Sequence, residues 1–321
     1  GVPIHGPQRS LRVMAVSTAR MALAGAAVAR PSVVRAAARG FATEKQIAMR
    51  IVATSNLKKI TSSMKMVSAA KLKGDTNRLT AARPFNKWSE KLGSSTQSIE
   101  EIDTSSFPQK NLFIAFSSDR GLCGGVNSFI TRGMKKVAAD LAASGKEFQL
   151  IVMGEKGRGQ MRRVFGDKIV SANTDLEYPA NFHLVSSLAN EVAKVDPSEY
   201  EAVHLLYNEF VSAIAYTPSV RTLVNLSGEG AAEPLVQYEF EPDTKSEVLA
   251  DLREYLLASE ITVALAENAT SEQSSRTQAM ENASKNAGEL IEALTLQYNK
   301  ARQARITTEL IEIISGASAL E

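Results

Sequence analysis

The sequence predicts a mixed α/β protein in which a long helix from each end of the chain forms an antiparallel coiled coil, with an open α/β sheet domain between them. Three observations point there. Glu44 to Arg83 contains no proline and a single glycine, Gly74; after Pro242 no proline recurs and glycine returns only at Gly288 and Gly316; and Asn111 to Leu226 alternates short β-rich runs with helical ones. Proline and glycine are the strongest interrupters of a helix, so both ends read as continuous helices. The alternation in the middle reads as an open sheet with helices layered on it.

The N-terminal helical segment spans residues 42–100. Its apolar and small residues fall at Ile47, Ile51, Thr54, Leu57, Ile60 or Thr61, Met64, Val67 and Ala70. Steps of three and four mark one coiled-coil seam, and forty residues at helical rise span about 60 Å. Pro84 is expected to kink or end this rod, and Gly93-Ser94-Ser95 to form a linker.

The C-terminal segment, residues 244–321, predicts a helix from about Thr244 to Ser315, roughly 110 Å long if unbroken. Its seam runs through Val248, Leu249, Leu252, Leu256 and Val263, then thins to alanine, serine and threonine from Ala266 to Ala279. It resumes at Met280, Ala283, Ala287, Leu290, Ile291, Leu294, Tyr298 and Ala301. The thinned stretch gains little by burial against one helix and is expected to need an enclosing partner. The closing group Ile306, Leu310, Ile313, Ile314 and Leu320 outruns the shorter first helix, and an apolar tip implies an apolar socket.

Residues 110–227 form the central domain, with strands expected at Leu112 to Phe116, Phe148 to Met153, Lys168 to Ser171, Ala202 to Tyr207 and Arg221 to Asn225. Helices are expected at Gly125 to Ala143, Lys156 to Phe165 and Phe182 to Lys194, a Rossmann-like alternation. An antiparallel hairpin around Tyr216-Thr217-Pro218-Ser219 is placed at a sheet edge, followed by an acidic connector, residues 228–243, with Glu229, Glu233, Glu239, Glu241 and Asp243.

Composition excludes several functions. Cys123 is the single cysteine, so neither an internal disulfide nor a cysteine-based zinc site can form, and His5, His183 and His204 lie in no ligand spacing. No apolar run reaches the roughly 18 to 20 residues of a membrane-crossing helix, so no direct membrane span is expected. Residues 1–41 carry Arg9, Arg12, Arg20, Arg30, Arg35 and Arg39 and no acid before Glu44. That is the composition of a transit peptide cut near Ala42, the alternative being a basic arm for nucleic acid or anionic lipid. Removing the six arginines takes the basic count from 37 to 31 against 35 acids, turning a charge of +2 into −4, which argues against nucleic-acid binding by the whole chain.

Two loops invite a nucleotide reading. Ser117 to Gly125 (SSDRGLCGG) and Gly154 to Gly159 (GEKGRG) each follow a strand and open a helix, where phosphates sit in nucleotide-binding folds. Neither has the Gly-Lys-Ser/Thr ending of a P-loop or dinucleotide-site spacing, so tight strand-to-helix turns are favoured and no catalytic residue, cofactor or metal is assigned. Cys123 has no neighbouring base in the sequence and reads as a packing residue. Glu44 to Lys91 holds eleven lysines and arginines against Glu44, Asp75 and Glu90, a surface suited to an acidic partner. A nucleotide-binding α/β enzyme with helical oligomerisation arms, and a coiled-coil adaptor for nucleic acid, are the competing readings.

Three runs carry a resemblance: ITSSMKMVSAAK from Ile60 to Lys71, SSDRGLCGG from Ser117 to Gly125, and YNKARQARITTELIEIISGA from Tyr298 to Ala317. Over residues 44 to 321 the chain resembles the gamma subunit of F-type ATP synthase, the central stalk, in its mitochondrial form; the insertion with a redox cysteine pair that marks the plastid form is absent. The resemblance implies a non-catalytic rotor shaft on the matrix side of the inner membrane. Its implied partners are the alpha and beta subunits of the catalytic head, the delta and epsilon stalk subunits and the membrane c-subunit ring. By the same analogy Met64, Arg302, Gln303 and Thr308 contact the catalytic subunits, with Met64 at the same collar as Arg302 and Gln303. Ile306, Leu310, Ile313 and Ile314 form the tip that turns in an apolar bearing.

Overall fold

A computed structural model describes residues 44–195, 199–223, 235 and 245–319. The leader expected at 1–41, all but Leu235 of the connector expected at 228–243, and Leu320 lie outside the described residues.

The chain opens with α1 (Glu44–Ala82), which a 3-10 turn at Arg83–Asn86 carries into the short α2 (Lys87–Lys91). Pro84 sits in the first turn of that 3-10 segment, where a missing N–H costs nothing, and so ends the rod as expected. Then follow β1 (Ser95–Ser98), β2 (Lys110–Phe116), α3 (Val126–Ala143), β3 (Glu147–Met153), α4 (Glu155–Phe165), β4 (Ile169–Asn173), α5 (Phe182–Ala193), β5 (Ala202–Ser212), β6 (Ala215–Thr222) and α6 (Lys245–Ser318). The strands form one sheet in the order β1-β6-β5-β2-β3-β4. β5, β2, β3 and β4 run parallel, while β6 is antiparallel to both β5 and β1.

Two local expectations are corrected. Gly93-Ser94-Ser95 is no free linker: Gly93, at a φ of 111°, reverses the chain directly into the edge strand β1. Tyr216 to Ser219 lie inside β6, and the hairpin reverses earlier, between Ser212 and Ala215. Nor is β6 an edge. Pro218 is tolerated because its carbonyl, and hence its missing N–H, faces β1's side, where β1 stops at Ser98 opposite Ser219 and Ile99 donates to the Pro218 carbonyl at 3.0 Å.

The side-chain alternation of the strands builds two cores. Phe113, Ala115, Leu150, Val152 and Leu206 meet Ile130, Met134, Leu141 of α3 and Met161, Phe165 of α4. Leu112, Ile114, Phe116, Ile151, Met153 and Leu205 meet Val185, Leu188, Val192 of α5 and Leu256, Leu257, Ile261, Leu265 of α6. The lower part of α6 is therefore a layer of the α/β domain as well as a strand of the shaft. This overturns the expectation for Ala266 to Ala279. Asn268, Thr270, Ser271, Ser274 and Ser275 are buried, and three of these serines donate to carbonyls of the domain: Ser271 to Asn208, Ser274 to Ala213 and Ser275 to Cys123. The small polar residues let the sheet's end and the β2–α3 loop approach the helix backbone, so the partner that covers this stretch is the chain's own domain.

One polar knot ties the layers together. Arg221 of β6 and Glu260 of α6 pair at 2.7 Å with 4% and 0% of their side chains exposed. Arg221 also donates to Glu90, Thr96 and the Asn86 carbonyl, and Ser89 donates to Glu260. Burial pulls the Arg221 pKa down, but the charge and hydrogen bond of Glu260, with Tyr207 and Glu90, together outweigh it and the guanidinium ends above its ordinary value. A second buried group is neutral: His204 stacks between Phe107 and Phe113 at 4.2 and 4.6 Å and bridges Thr222 and Asn111. Desolvation pushes its pKa down to about 3.

Two predictions follow from these groups. Arg221→Met strands the Glu260 charge and is expected to cost about 3 to 5 kcal/mol, most of it recovered by adding Glu260→Leu; urea unfolding of the purified chains measures both. The unfolded chain protonates His204 near its ordinary pKa, whereas the folded chain resists until about pH 3. Stability from this group is thus present above pH 6.5 and lost as pH falls. Relative to His204→Gln, the wild type should lose about 2 kcal/mol between pH 7 and pH 5.

Candidate functional site: the shaft and its exposed faces

Pairs along the two long helices fix their register. Arg83 meets Glu267 at 3.0 Å, Lys65 meets Glu281 at 2.8 Å, and Arg305 meets Glu44 at 3.0 Å. A Cβ placed on Gly288 would lie 3.2 Å from Lys58 Nζ, so this glycine admits the lysine where the helices face each other. Each step toward the C-terminus on α1 is matched by a step toward the N-terminus on α6, as the antiparallel prediction requires.

On α6 the buried residues Met280, Ala287 and Leu294 recur every seven positions, the spacing of a left-handed coiled coil. On α1 the seam is Ile47, Thr61, Ser68, Leu79 and Ala82, with Ile51, Thr54 and Met64 half-buried beside it. This resolves the choice between Ile60 and Thr61 in favour of threonine, and it corrects four further positions. Leu57, Val67 and, on α6, Leu290 are more than half exposed, and Ala70 is exposed as well. The small side chains Thr61 and Ser68 bring the helices close together, and that turns the larger neighbours outward.

The outward face of α1 carries Met49, Val52, Leu57, Ile60, Met66 and Val67, all exposed. Periodicity in the sequence could have shown part of it, because Met49, Ile60 and Val67, eleven and seven residues apart, fall on one line of the helix outside the seam. An apolar face of this size on a basic helix marks an interaction surface. Among the described residues, no segment pairs with α6 beyond the level of Glu44, from Ile306 to Ser318, about 20 Å. Ile306, Leu310, Ile313 and Ile314 are 40, 54, 68 and 63% exposed there.

The predicted contact residues separate into two groups. Arg302, Gln303 and Thr308 are exposed near the top of the shaft, where Glu44 accepts from Tyr298 and raises the tyrosine's pKa. Met64 is half-buried next to Lys65 and the Glu281 level. Twenty-one residues of α6 separate that level from Arg302, about 30 Å along the axis. The expected common collar of Met64 with Arg302 and Gln303 does not exist; antiparallel register places them at different heights.

The second glycine loop, at the start of α4, is closed to phosphate by residues of the first. Asp119 accepts from the N–H groups of Glu155 at 2.8 Å, Asp175 at 3.2 Å and Leu176 at 2.9 Å, so its carboxylate fills the anion position at the start of α4. Ser117 accepts from the Gly157 N–H at 3.0 Å, and a Cβ on Gly157 would lie 2.3 Å from Ser117 Oγ. These glycines serve close packing of one loop on the next. Cys123 is buried against Ser118 and Asn127. Among the described residues no cluster of histidine, cysteine and carboxylates has the arrangement of a metal site, and no helix is long and apolar enough to cross a membrane. Asp119→Ala is expected to lower stability by about 2 kcal/mol through its three orphaned N–H groups, and ATP titrated into the wild-type chain should show no saturable heat; a saturable isotherm abolished by Asp119→Ala would restore a nucleotide site.

Comparison with known proteins places this geometry. The family model described as ATP synthase matches residues 43–320. The ATP synthase gamma chain of Paramagnetospirillum magneticum is 38% identical over 295 residues, covering 87% of this chain and 100% of its own length. The mitochondrial ATP synthase F(1) complex subunit gamma of Rattus norvegicus is 40% identical over 281 residues, with 87% and 100% covered. Among solved structures, a chain from the central stalk and c-ring of Tetrahymena thermophila mitochondrial ATP synthase matches with a TM-score of 0.58 and 31% identity, covering 70% of this chain and 99% of that one. A two-helix shaft with a sheet domain at its base, matched at this identity over nearly the whole length of these relatives, belongs to the gamma-chain family of ATP synthase.

Proposed function

We propose that the chain is the central rotor shaft of a mitochondrial proton-translocating ATP synthase, working on the matrix side of the inner membrane and delivered there by the leader at residues 1–41. It is a non-catalytic subunit. The observation that carries the mechanical part is the lone apolar tip: Ile306 to Ser318 extends past α1 with its isoleucines and leucine in solvent, an arrangement that needs an apolar sleeve. The exposed apolar face of α1 asks for the same enclosure lower down.

In this reading the alpha and beta subunits surround the shaft, the delta and epsilon subunits and the c-subunit ring attach at its foot, and proton flow turns ring and shaft together. An asymmetric two-helix rod presents a different face to each catalytic subunit at each angle, which biases their conformations in turn. Arg302, Gln303 and Thr308 supply polar contacts near the top and Met64 an apolar one about 30 Å lower. An arginine bonded to a carboxylate is worth about 1.5 to 3 kcal/mol once desolvated.

Native purification through a tag on this chain, followed by mass spectrometry and an ATPase assay, tests the assembly: stoichiometric nucleotide-binding subunits with activity are expected, and recovery of the chain alone would refute it. In the assembled enzyme Arg302→Glu should lower ATP synthesis several-fold by placing like charge against acidic loops; synthesis equal to wild type would remove Arg302 from the coupling contacts.

A further inference from the structure

We infer that the upper end of β5 and the β5–β6 turn form a torque-bearing clamp on α6, and that Asn208, Glu267, Asn268, Ser271 and Ser274 are its positioning residues. The inference rests on the rotor-shaft reading and adds to it the place where the foot domain grips the shaft. Six bonds converge there, five of them on about two turns of α6. The Asn208 amide donates to Asn268 at 3.1 Å, Ser271 donates to the Asn208 carbonyl at 2.9 Å, and Ser274 donates to the Ala213 carbonyl at 2.7 Å. The Phe210 N–H donates to Glu267 at 2.7 Å, and Arg83, just past the end of α1, donates to both Glu267 and the Phe210 carbonyl. One strand end is thus fastened to both helices of the shaft.

Position and chemistry both favour a mechanical role. Below the clamp α6 is packed into the apolar core through Leu256, Leu257, Ile261 and Leu265; above it, once past the β2–α3 loop that Ser275 and Arg276 bond, the helix pairs with α1. Twist between domain and rod is greatest where that support changes. Apolar contact is non-directional and lets surfaces slide, whereas hydrogen bonds weaken steeply with misalignment, so a ring of short side-chain bonds resists rotation where apolar packing would not. Asn208 and Asn268 are fully buried, yet Asn208 Oδ1 and Asn268 Nδ2 have no hydrogen-bond partner. Apolar side chains would fill that space more favourably. The amides fix a register instead.

The Ser271→Ala/Ser274→Ala double variant, built into the whole enzyme, tests this. ATP hydrolysis is expected to stay within about twofold of wild type, because the tip and the head contacts are untouched. Protons pumped per ATP should fall at least threefold, and the torsional stiffness of single rotating molecules at least twofold, with little change in the melting temperature of the complex. Asn268→Leu should reproduce both losses. Should the double variant fail to assemble, Ser274→Ala alone, which frees only the carbonyl of the exposed turn, should still soften the rotor measurably. Wild-type pumping and stiffness in assembled, ATP-hydrolysing variants would overturn the clamp and leave the rotor reading standing; absence of nucleotide-binding subunits from the wild-type complex would overturn the rotor reading itself.

Discussion

The structure depends on α6 belonging to two assemblies at once. Its first half is a wall of the α/β domain and its second half one strand of a coiled coil, so a single 74-residue helix must satisfy a sheet, then a partner helix, then solvent. Side-chain chemistry changes at each boundary. Leucine and isoleucine fill the core from Leu256 to Leu265, Asn268 accepts from the Asn208 side chain while Ser271, Ser274 and Ser275 donate to backbone carbonyls, and a seven-residue repeat takes over from Met280. A uniform apolar stripe would pack well against a helix but would hold the sheet's polar end too far away.

Buried charge follows from the same demand. Glu260, Glu267 and Glu272 lie on the domain-facing stretch of α6 and each has an arginine: Arg221, Arg83 and Arg276. Burial raises the pKa of Glu267 against the opposing Phe210 N–H and Arg83, and raises that of Glu272 against Arg276. Such pairs add little net stability, since desolvation offsets attraction, but breaking one leaves a stranded charge. Two of them make the seating of the helix specific: a shift by one turn would part Glu260 and Glu267 from arginines on other elements, while Glu272 and Arg276, one turn apart on α6, would move together.

The rest of the shaft is unfinished as a free molecule. Thr61 and Ser68 draw the two helices together and turn Leu57, Ile60 and Val67 away from each other into solvent. The tip continues this pattern with five exposed apolar residues and, among the described residues, no facing helix. The rod displays apolar surface along one side and at its end, the surface that the proposed sleeve would cover.

The sequence by itself determined the long elements and their pairing, because helices without proline or glycine and strands with alternating burial are dictated by local sterics and periodicity. Pro84 ended α1, and the apolar tip from Ile306 to Ile314 was legible as surplus length. Tertiary structure decided what local pattern could not. The seam took Thr61 and Ser68 over Ile60 and Val67 because interhelical distance outweighs hydrophobicity at a close crossing. The thin stretch from Ala266 to Ala279 was covered by the chain's own sheet, a contact between Asn208 and Asn268 that no window of sequence contains. Met64 and Arg302 fell at different heights because register in an antiparallel pair is set by the whole set of contacts along both helices. Asp119 closed the loop that resembles a phosphate site, since three N–H groups from two distant loops converge on its carboxylate only after folding.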